Sequence, residues 1–215
     1  MIESGDTRIV IDCGPDFRAQ MLGLEFRKID AVLLTHIHYD HVGGLDDLRP
    51  FCLFGEINIY ANKITAEGLK HTMPYCFDEN KYPGVPKINI NVIRPHKSLH
   101  VGGLEIIPVE VMHDKMPILG YRIGDLLYIT DMKTIDEGEF EYFHGVKTLV
   151  VNALRFAPEH HSHQTVADAI AFARKVGAER TFFTHMGHDI GLHKETNKIL
   201  PDDIKLAFDG QILEI

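Results

Sequence analysis

Residues 31–44 read AVLLTHIHYDHVGG, and this stretch decides the fold. Its first five residues are largely apolar, and the run is short enough to form a buried strand. They run directly into four side chains that can bind metal: His36, His38, Asp40 and His41. The first two histidines are two positions apart, so on extended backbone both imidazoles point to the same side and can bind one ion. The aspartate and the third histidine follow in a turn loosened by the glycine pair, where they can reach a second ion.

Three more apolar runs end on a histidine or an aspartate. Residues 109–112 lead to His113, residues 126–130 lead to Asp131, and residues 181–184 lead to His185. Strand ends are favoured places for chemistry, because rigid backbone aims the side chain while the following turn leaves space for a ligand. We expect His113 to complete a three-histidine set for the first ion and His185 to contribute to the second. Asp131, with two acceptor oxygens, can bridge both ions.

The seven predicted metal ligands are therefore His36, His38, Asp40, His41, His113, Asp131 and His185. They offer nitrogen and oxygen atoms and no thiolate, a donor set that suits two divalent ions, with Zn²⁺ first and Mn²⁺, Fe²⁺ or Ni²⁺ as alternatives. The competing interpretation is that these histidines cap strands and lie on the surface. The convergence of four strand ends on ligand residues argues against it.

The composition is that of a globular protein. With 215 residues, 45% hydrophobic and 25% charged, the sequence predicts a single domain over residues 1–215 with a core that needs no disulfides. No apolar run is long enough to span a bilayer, no signal segment is recognisable, and the three cysteines form no Cys-x-x-Cys pair, so we expect a cytoplasmic protein without a membrane partner. The net charge of −9 argues against nucleic acid as a partner and leaves a small anionic substrate.

Apolar runs of strand length alternate with a few amphipathic segments. Strands are predicted at residues 8–12, 31–35, 57–60, 88–93, 104–111, 126–130, 148–154 and 181–184. The clearest helix begins at Ser162 or His163, ends at Val176 and is followed by Gly177, and weaker helices are predicted at 62–72 and 45–49. Several strands are too uniformly apolar to have one face exposed to solvent. The pattern therefore predicts an α/β protein whose sheets are covered on both sides.

The ligand pattern His36-x-His38-x-Asp40-His41, followed in order by the other three ligands, resembles that of the metallo-β-lactamase-fold hydrolases. The resemblance implies a four-layer αββα sandwich with a dinuclear site at one edge of two facing sheets. Asp131 points away from true β-lactamases and toward the phosphodiesterase, lactonase and thioester-hydrolase branches. We find no counterpart of the family's usual N-terminal hairpin and Cys-rich zinc segment. That absence leaves His188 without an assigned role and would leave a sheet edge through which a homodimer could form.

Further segments resemble the phosphoribosyl 1,2-cyclic phosphate phosphodiesterase group. They are residues 11–16, 41–49, 163–166, 184–188 and 207–210. In that group, and in the tRNA 3′-processing endonucleases, the histidine equivalent to His163 acts as the general acid. No long arm for binding tRNA is visible, so we do not expect an RNA-processing role.

The favoured function is a dinuclear metal-dependent hydrolase, namely a phosphodiesterase that acts on a small phosphodiester, cyclic ones included, through a metal-bridging hydroxide. Two divalent ions outweigh two carboxylates and a hydroxide by one positive charge, which suits a monoanion. We expect His163 to protonate the leaving alkoxide and Asp40 to bind metal and orient the nucleophile. Arg49 and Arg155 are predicted to contact the substrate phosphate. Two alternatives stay open: an acyl ester or lactone hydrolase on the same site, and a non-catalytic, metal-stabilised binding module.

Overall fold

The computed structural model describes residues 1–78 and 83–215. The chain has two compact units, Met1–Glu105 and Ile106–Ile215, each with its own hydrophobic core. The prediction of a single domain over residues 1–215 stays a prediction. Within the described residues, no helix combines the length and the apolar character that crossing a bilayer requires.

A five-stranded sheet lies in the first unit. Its order is β1-β2-β3-β4-β5, with β1 antiparallel to β2 and the remaining neighbours parallel. The strands are β1 (Ile2–Ser4), β2 (Thr7–Ile11), β3 (Ala31–Leu33), β4 (Ile57–Ala61) and β5 (Ile88–Val92). All three residues of β3 are buried, as expected for a parallel strand covered on both faces.

Short helices connect these strands. They are α1 (Phe17–Met21), α2 (Tyr39–Val42), α3 (Lys63–Thr72) and the 3₁₀ segments Leu45–Phe54 and Pro74–Cys76. The predicted helix at 62–72 is confirmed as α3, which Asn62 caps by accepting a hydrogen bond from the Thr65 N–H at 2.8 Å. The predicted turn at 45–49 is also present, but it continues past Pro50 to Phe54.

The second sheet has seven strands in the order β12-β11-β10-β9-β8-β7-β6. They are β6 (Leu99–Val101), β7 (Leu104–His113), β8 (Met116–Ile123), β9 (Leu126–Ile129), β10 (Thr148–Asn152), β11 (Arg180–Thr184) and β12 (Ile204–Leu206). Strands β9 to β12 are parallel, and Asn152 lies in register with Thr184. The carboxyl ends of β9, β10 and β11 therefore meet at one edge of this sheet, which is the edge that carries Asp131 and His185.

The main helix of the second unit, α4 (Val166–Val176), begins later than predicted. Thr165 accepts a hydrogen bond from the Asp168 N–H, and the Asp168 carboxylate accepts one from the Thr165 N–H, so a capping box fixes the start at Val166. The predicted start at Ser162 or His163 is wrong for this reason, and His163 lies in the loop before the helix. The predicted end is confirmed, because Gly177 adopts the left-handed conformation with φ of 74°.

All eight predicted strands are present, although several end earlier than predicted. Strand β3 ends at Leu33 and β10 ends at Asn152. The next residues, Leu34 and Ala153, each still donate one backbone hydrogen bond to the neighbouring strand, to the carbonyls of Tyr60 and Thr184. Four strands (β1, β6, β8 and β12), the short helix α1 and the helix α5 (His193–Ile199) had no clear sequence signal.

Candidate metal centre

In the first unit, the loop after β3 brings its four predicted ligands together in two pairs. The Nε2 of His36 lies 3.0 Å from the Nδ1 of His38. The Nε2 of His41 lies 3.3 Å from a carboxylate oxygen of Asp40. Two ligands of a tetrahedral zinc ion, each about 2.0–2.1 Å from the metal, are separated by roughly 3.3 Å. Both pairs therefore have the spacing of atoms that share an ion.

The two glycines after His41 have a different role from the one predicted. The turn is helical rather than loose, and Gly44 has an ordinary φ of −97°. A Cβ atom on Gly44 would lie only 2.1 Å from the Gly14 carbonyl oxygen, and one on Gly14 would lie 2.4 Å from the Asp40 carbonyl oxygen. Glycine is needed here because the ligand turn packs against the backbone of the loop after β2.

Asp12, the first residue after β2, organises these ligands without belonging to the predicted set. Its carboxylate accepts hydrogen bonds from the backbone N–H and the hydroxyl of Thr35, both at 2.8 Å, and lies 2.7 Å from Nδ1 of His41. An ionised carboxylate can only accept, so the His41 proton is on Nδ1. The Thr35 hydroxyl donates to Asp12 and therefore accepts from Nδ1 of His36 at 3.0 Å. Both histidines thus keep on Nε2 the lone pair that a metal ion requires.

The second unit fixes its own histidine ligand in the same way. Nδ1 of His113 lies 2.8 Å from the Asp131 carbonyl oxygen and 3.1 Å from the Ser162 carbonyl oxygen. Carbonyl oxygens only accept, so this proton also lies on Nδ1 and Nε2 carries the lone pair.

Asp131 is almost fully buried and presents one carboxylate oxygen to two imidazoles. Its Oδ2 accepts a 2.6 Å hydrogen bond from the Thr130 hydroxyl. Its Oδ1 lies 2.8 Å from Nε2 of His185 and 3.6 Å from Nδ1 of His163. The donor atoms of His113, Asp131 and His163 all lie within 4.8 Å of one another. Asp131 and His185 thus present donor atoms at the spacing that metal ligands adopt.

Left-handed backbone occurs at three of the positions that present these side chains. The φ angles are 57° at Asp12, 55° at Asp131 and 51° at His185. For a residue with a Cβ atom this conformation costs about 1–2 kcal/mol, so surrounding contacts must hold it. Next to Asp131, the buried Asn152 side chain accepts from the Met132 N–H at 2.8 Å and donates to the Met132 carbonyl at 2.9 Å.

His163, the predicted general acid, lies beside this group with 13% of its side chain exposed. Burial lowers its pKa to about 4, and the nearby Asp131 carboxylate only partly opposes that shift. The imidazole is therefore neutral at pH 7 until an anion beside it raises the pKa. Its Nδ1 has no hydrogen-bond partner among residues 1–78 and 83–215.

The two predicted phosphate-binding arginines both have protein partners. Arg49 contacts both carboxylate oxygens of Asp46, at 2.9 and 2.7 Å. Arg155 donates from Nε to the Pro158 carbonyl at 2.9 Å and lies 3.5 Å from the Asp189 carboxylate. Their contact with substrate stays a prediction, and binding it would require each to give up or share these partners.

Several supporting residues had not been predicted, and His188 lies apart from them. Thr35, Thr130, Asn152 and Ser162 orient ligands, and each is polar and buried. A buried polar residue inside or just after an apolar run needs a partner, and that is the signal that could have identified them. The His188 side chain is 96% exposed and lies 3.3 Å from Asp189.

The residues present fit a divalent ion. Histidine nitrogens with fixed protonation and carboxylate oxygens form a donor set suited to Zn²⁺, Mn²⁺ or Fe²⁺, and the spacing of the neighbouring donors agrees with shared coordination. Each unit has donor atoms of this kind of its own.

Comparison with known proteins assigns the family. A family model described as "Beta-lactamase superfamily domain" matches residues 7–186. A solved structure of a diphosphatase from the PhnP family superposes with a TM-score of 0.90 at 37% sequence identity, covering 99% of this chain and 82% of that one.

Two curated relatives align over nearly the whole chain. An octanoyltransferase from Porphyromonas gingivalis is 40% identical over 210 residues, which is 98% of this chain but only 43% of that protein. A probable metallo-hydrolase, YhfI, from Bacillus subtilis is 24% identical over 99% of this chain and 86% of its own length. The chain thus spans less than half of the first relative, so that protein's activity does not transfer. These matches confirm the predicted metallo-β-lactamase fold, and the chain belongs to the β-lactamase superfamily, with similarity to the PhnP family.

Proposed function

We propose that this protein is a dinuclear phosphodiesterase that hydrolyses a small anionic phosphodiester. The ligands would be the seven predicted from the sequence. The observation that carries the proposal is the fixed protonation of His36, His41 and His113, each of which keeps its Nε2 lone pair for a metal. Two separate hydrogen-bond networks, one through Asp12 and one through backbone carbonyls, give these three histidines the same tautomer, which is the arrangement that a metal centre requires.

The residues around the ligands suit phosphoryl transfer. Bound divalent ions acidify a water molecule and offset negative charge on phosphoryl oxygens. His163 is neutral in the absence of an anion, and a bound phosphodiester would raise its pKa and allow it to carry the proton that the leaving alkoxide needs. Asp40, more exposed than Asp131, would bind metal and orient the attacking water. A small substrate is favoured because the net charge of −9 opposes polyanions.

A second candidate function follows from the diphosphatase of the PhnP family. That relative is 37% identical to this chain, and its name describes hydrolysis at a diphosphate. A diphosphate linkage and a phosphodiester present the same oxygen atoms to the metals, so the ligand residues do not distinguish between them. The difference lies in the leaving group, which is a phosphate in one case and an alkoxide in the other. An alkoxide depends much more on a proton donor such as His163.

The test is a parallel assay of one preparation loaded separately with Zn²⁺ and Mn²⁺. Bis(4-nitrophenyl) phosphate, 2′,3′-cyclic AMP, a dinucleoside diphosphate and a lactone are offered at equal concentration after the metal content has been measured. We expect about two metal ions per chain and metal-dependent turnover of the diesters. Turnover of the lactone alone, or of none of the substrates by fully loaded protein, would refute the proposal.

Matched variants assign the activity to these residues. Asp131→Asn keeps the size of the side chain but removes its charge, and it should abolish diester turnover and lower the metal content. His188→Asn changes a histidine that is almost fully exposed and should leave both unchanged.

A further inference from the structure

We propose that His160 is a positioning residue that holds the imidazole of His163 in its working orientation. The inference rests on the proposed function, because it concerns the delivery of a proton by His163. The His160 side chain is half-buried, and its ring stacks on that of His163.

Among the described residues, no hydrogen bond defines the orientation of His163. Its Nδ1 lies 3.6 Å from the nearest carboxylate oxygen of Asp131, beyond hydrogen-bond distance, and has no other partner in the part of the chain that the structure describes. An imidazole without such a bond rotates about its side-chain torsions unless neighbouring atoms restrict it. Ring contacts must therefore supply the restriction.

Two near-parallel imidazoles flank His163. The centroid of its ring lies 4.8 Å from that of His185 at an angle of 26°, and 5.0 Å from that of His160 at an angle of 27°. These separations are typical of stacked aromatic pairs. His185 is a predicted metal ligand, and His160 is not. The route by which His160 can act on the site is therefore its ring contact with His163.

The ring of His160 is itself held in place. Its Nδ1 lies 3.2 Å from the Ser162 hydroxyl and 3.4 Å from the Ser162 N–H, which donates to it. Ser162 is buried, and its carbonyl oxygen accepts from His113. The segment from His160 to His163 is further anchored by the bond from Leu154 N–H to the Gln164 carbonyl at 3.0 Å. Because the His160 ring and its loop are held in place, contact with this ring can restrict rotation of the His163 imidazole.

The experiment separates the ring of His160 from its nitrogen. His160→Phe keeps a stacking ring and loses the bond to Ser162, while His160→Asn keeps a polar atom for Ser162 and loses the ring. His160→Ala loses both, and His144→Ala changes an exposed histidine elsewhere in the second unit as a control. Turnover is measured on 2′,3′-cyclic AMP, whose leaving group is an alkoxide, and on bis(4-nitrophenyl) phosphate, whose leaving group needs no acid.

We expect His160→Ala and His160→Asn to lower kcat for the cyclic nucleotide by about three- to tenfold, the range that loss of one aromatic contact corresponds to. The change for the nitrophenyl ester should stay within about twofold, because nitrophenolate leaves unprotonated. His160→Phe should restore most of the loss, and the control should match the wild type. Equal losses on both substrates, or no rescue by phenylalanine, would overturn the positioning role.

A spectroscopic measurement makes the test independent of activity. In protein with labelled histidines, free of metal and loaded with zinc, nuclear Overhauser contacts between the His163 and His185 rings report the orientation of His163. These contacts should weaken in His160→Ala and persist in His160→Phe. Unchanged contacts in His160→Ala refute the inference. Absence of wild-type turnover on both diesters instead refutes the phosphodiesterase proposal, and the ring contacts still decide the role of His160.

Discussion

Replacing Asp12 by asparagine should weaken metal binding although Asp12 is not a predicted ligand. The carboxylate accepts from Thr35 and from Nδ1 of His41, and the hydroxyl of Thr35 passes the same constraint to His36. An asparagine has one acceptor oxygen and one donor nitrogen. Whichever way its amide is turned, the amide N–H faces another donor, either the Thr35 N–H or the Nδ1–H of His41. His41 avoids the contact between two donors if it carries its proton on Nε2 instead of Nδ1. That tautomer cannot bind a metal ion through Nε2.

The size of the effect follows from this geometry. Loss of an orienting partner of a metal-bound histidine typically weakens binding by about 10- to 100-fold, which is roughly 1.4–2.7 kcal/mol. The lost bond between Asp12 and His41 also costs the fold on the order of 1.5–3 kcal/mol, because it is charge-assisted and mostly buried. Asparagine is tolerated at a φ of 57°, so the backbone contributes little to either change.

Zinc affinity is measured by competition with a chromophoric chelator, and the tautomers are read from the ring nitrogen shifts of metal-free protein. The wild type should show Nδ1–H on both His36 and His41, and the variant should show Nε2–H on His41. Asp6→Asn, in the exposed turn between β1 and β2, is the control for the change of charge. Wild-type zinc affinity in Asp12→Asn, or an unchanged His41 tautomer, would refute the reasoning.

Three further predictions concern stability. Metal-free protein should lose stability as the pH falls from 6.5 to about 4, because the pKa of His163 is lowered on folding and the unfolded chain binds a proton that the buried ring does not. His163→Asn, which cannot titrate, should lose about 3 kcal/mol less over that interval in urea unfolding. Asn152→Ala leaves the N–H and carbonyl of Met132 buried without their partner and should cost about 2–5 kcal/mol. Gly44→Ala places a Cβ atom 2.1 Å from the Gly14 carbonyl oxygen and should lower both the melting temperature and the bound zinc.

Matched controls accompany each of these variants. Identical pH dependence in the wild type and His163→Asn would contradict the first prediction. Asn89→Ala removes an exposed asparagine of β5 and should cost less than about 0.5 kcal/mol, so an equal loss at position 152 would contradict the second. Gly103→Ala adds a Cβ atom where no other atom lies within 4 Å, and a melting temperature as low as that of Gly44→Ala would contradict the third.

The strands, and the grouping of donor side chains within each unit, were predictable because each rests on a local pattern. Short, uniformly apolar runs such as residues 31–33 favour buried strands over helices because of their length and their Val and Leu content, and the histidines that follow shortly after them have few alternative roles. The start of α4 was not predictable in the same way. Ser162 and Thr165 can both cap a helix, and only the reciprocal bonds with Asp168 decide between them.

Sequence patterns can mark the supporting residues as buried polar groups, but they do not identify the partners, because the contacts join distant positions. Thr35 depends on Asp12, and Asn152 depends on the backbone at Met132, far apart along the chain. Arg49 illustrates the opposite case. Its pairing with Asp46 was foreseeable from their spacing of three residues, yet the sequence could not say whether that pair or a substrate would hold the guanidinium.

The left-handed backbone at Asp12, Asp131 and His185 indicates where glycine is favoured in related sequences once selection on activity is relaxed. Glycine relieves the torsional cost at each of these positions. At Asp12 and Asp131 it also removes hydrogen bonds to buried groups, so a copy that no longer needs the chemistry gains stability chiefly at His185. Glycine at such a site would identify a paralogue that has kept the fold and lost the activity. An inactive copy could thus be recognised before any enzyme is purified.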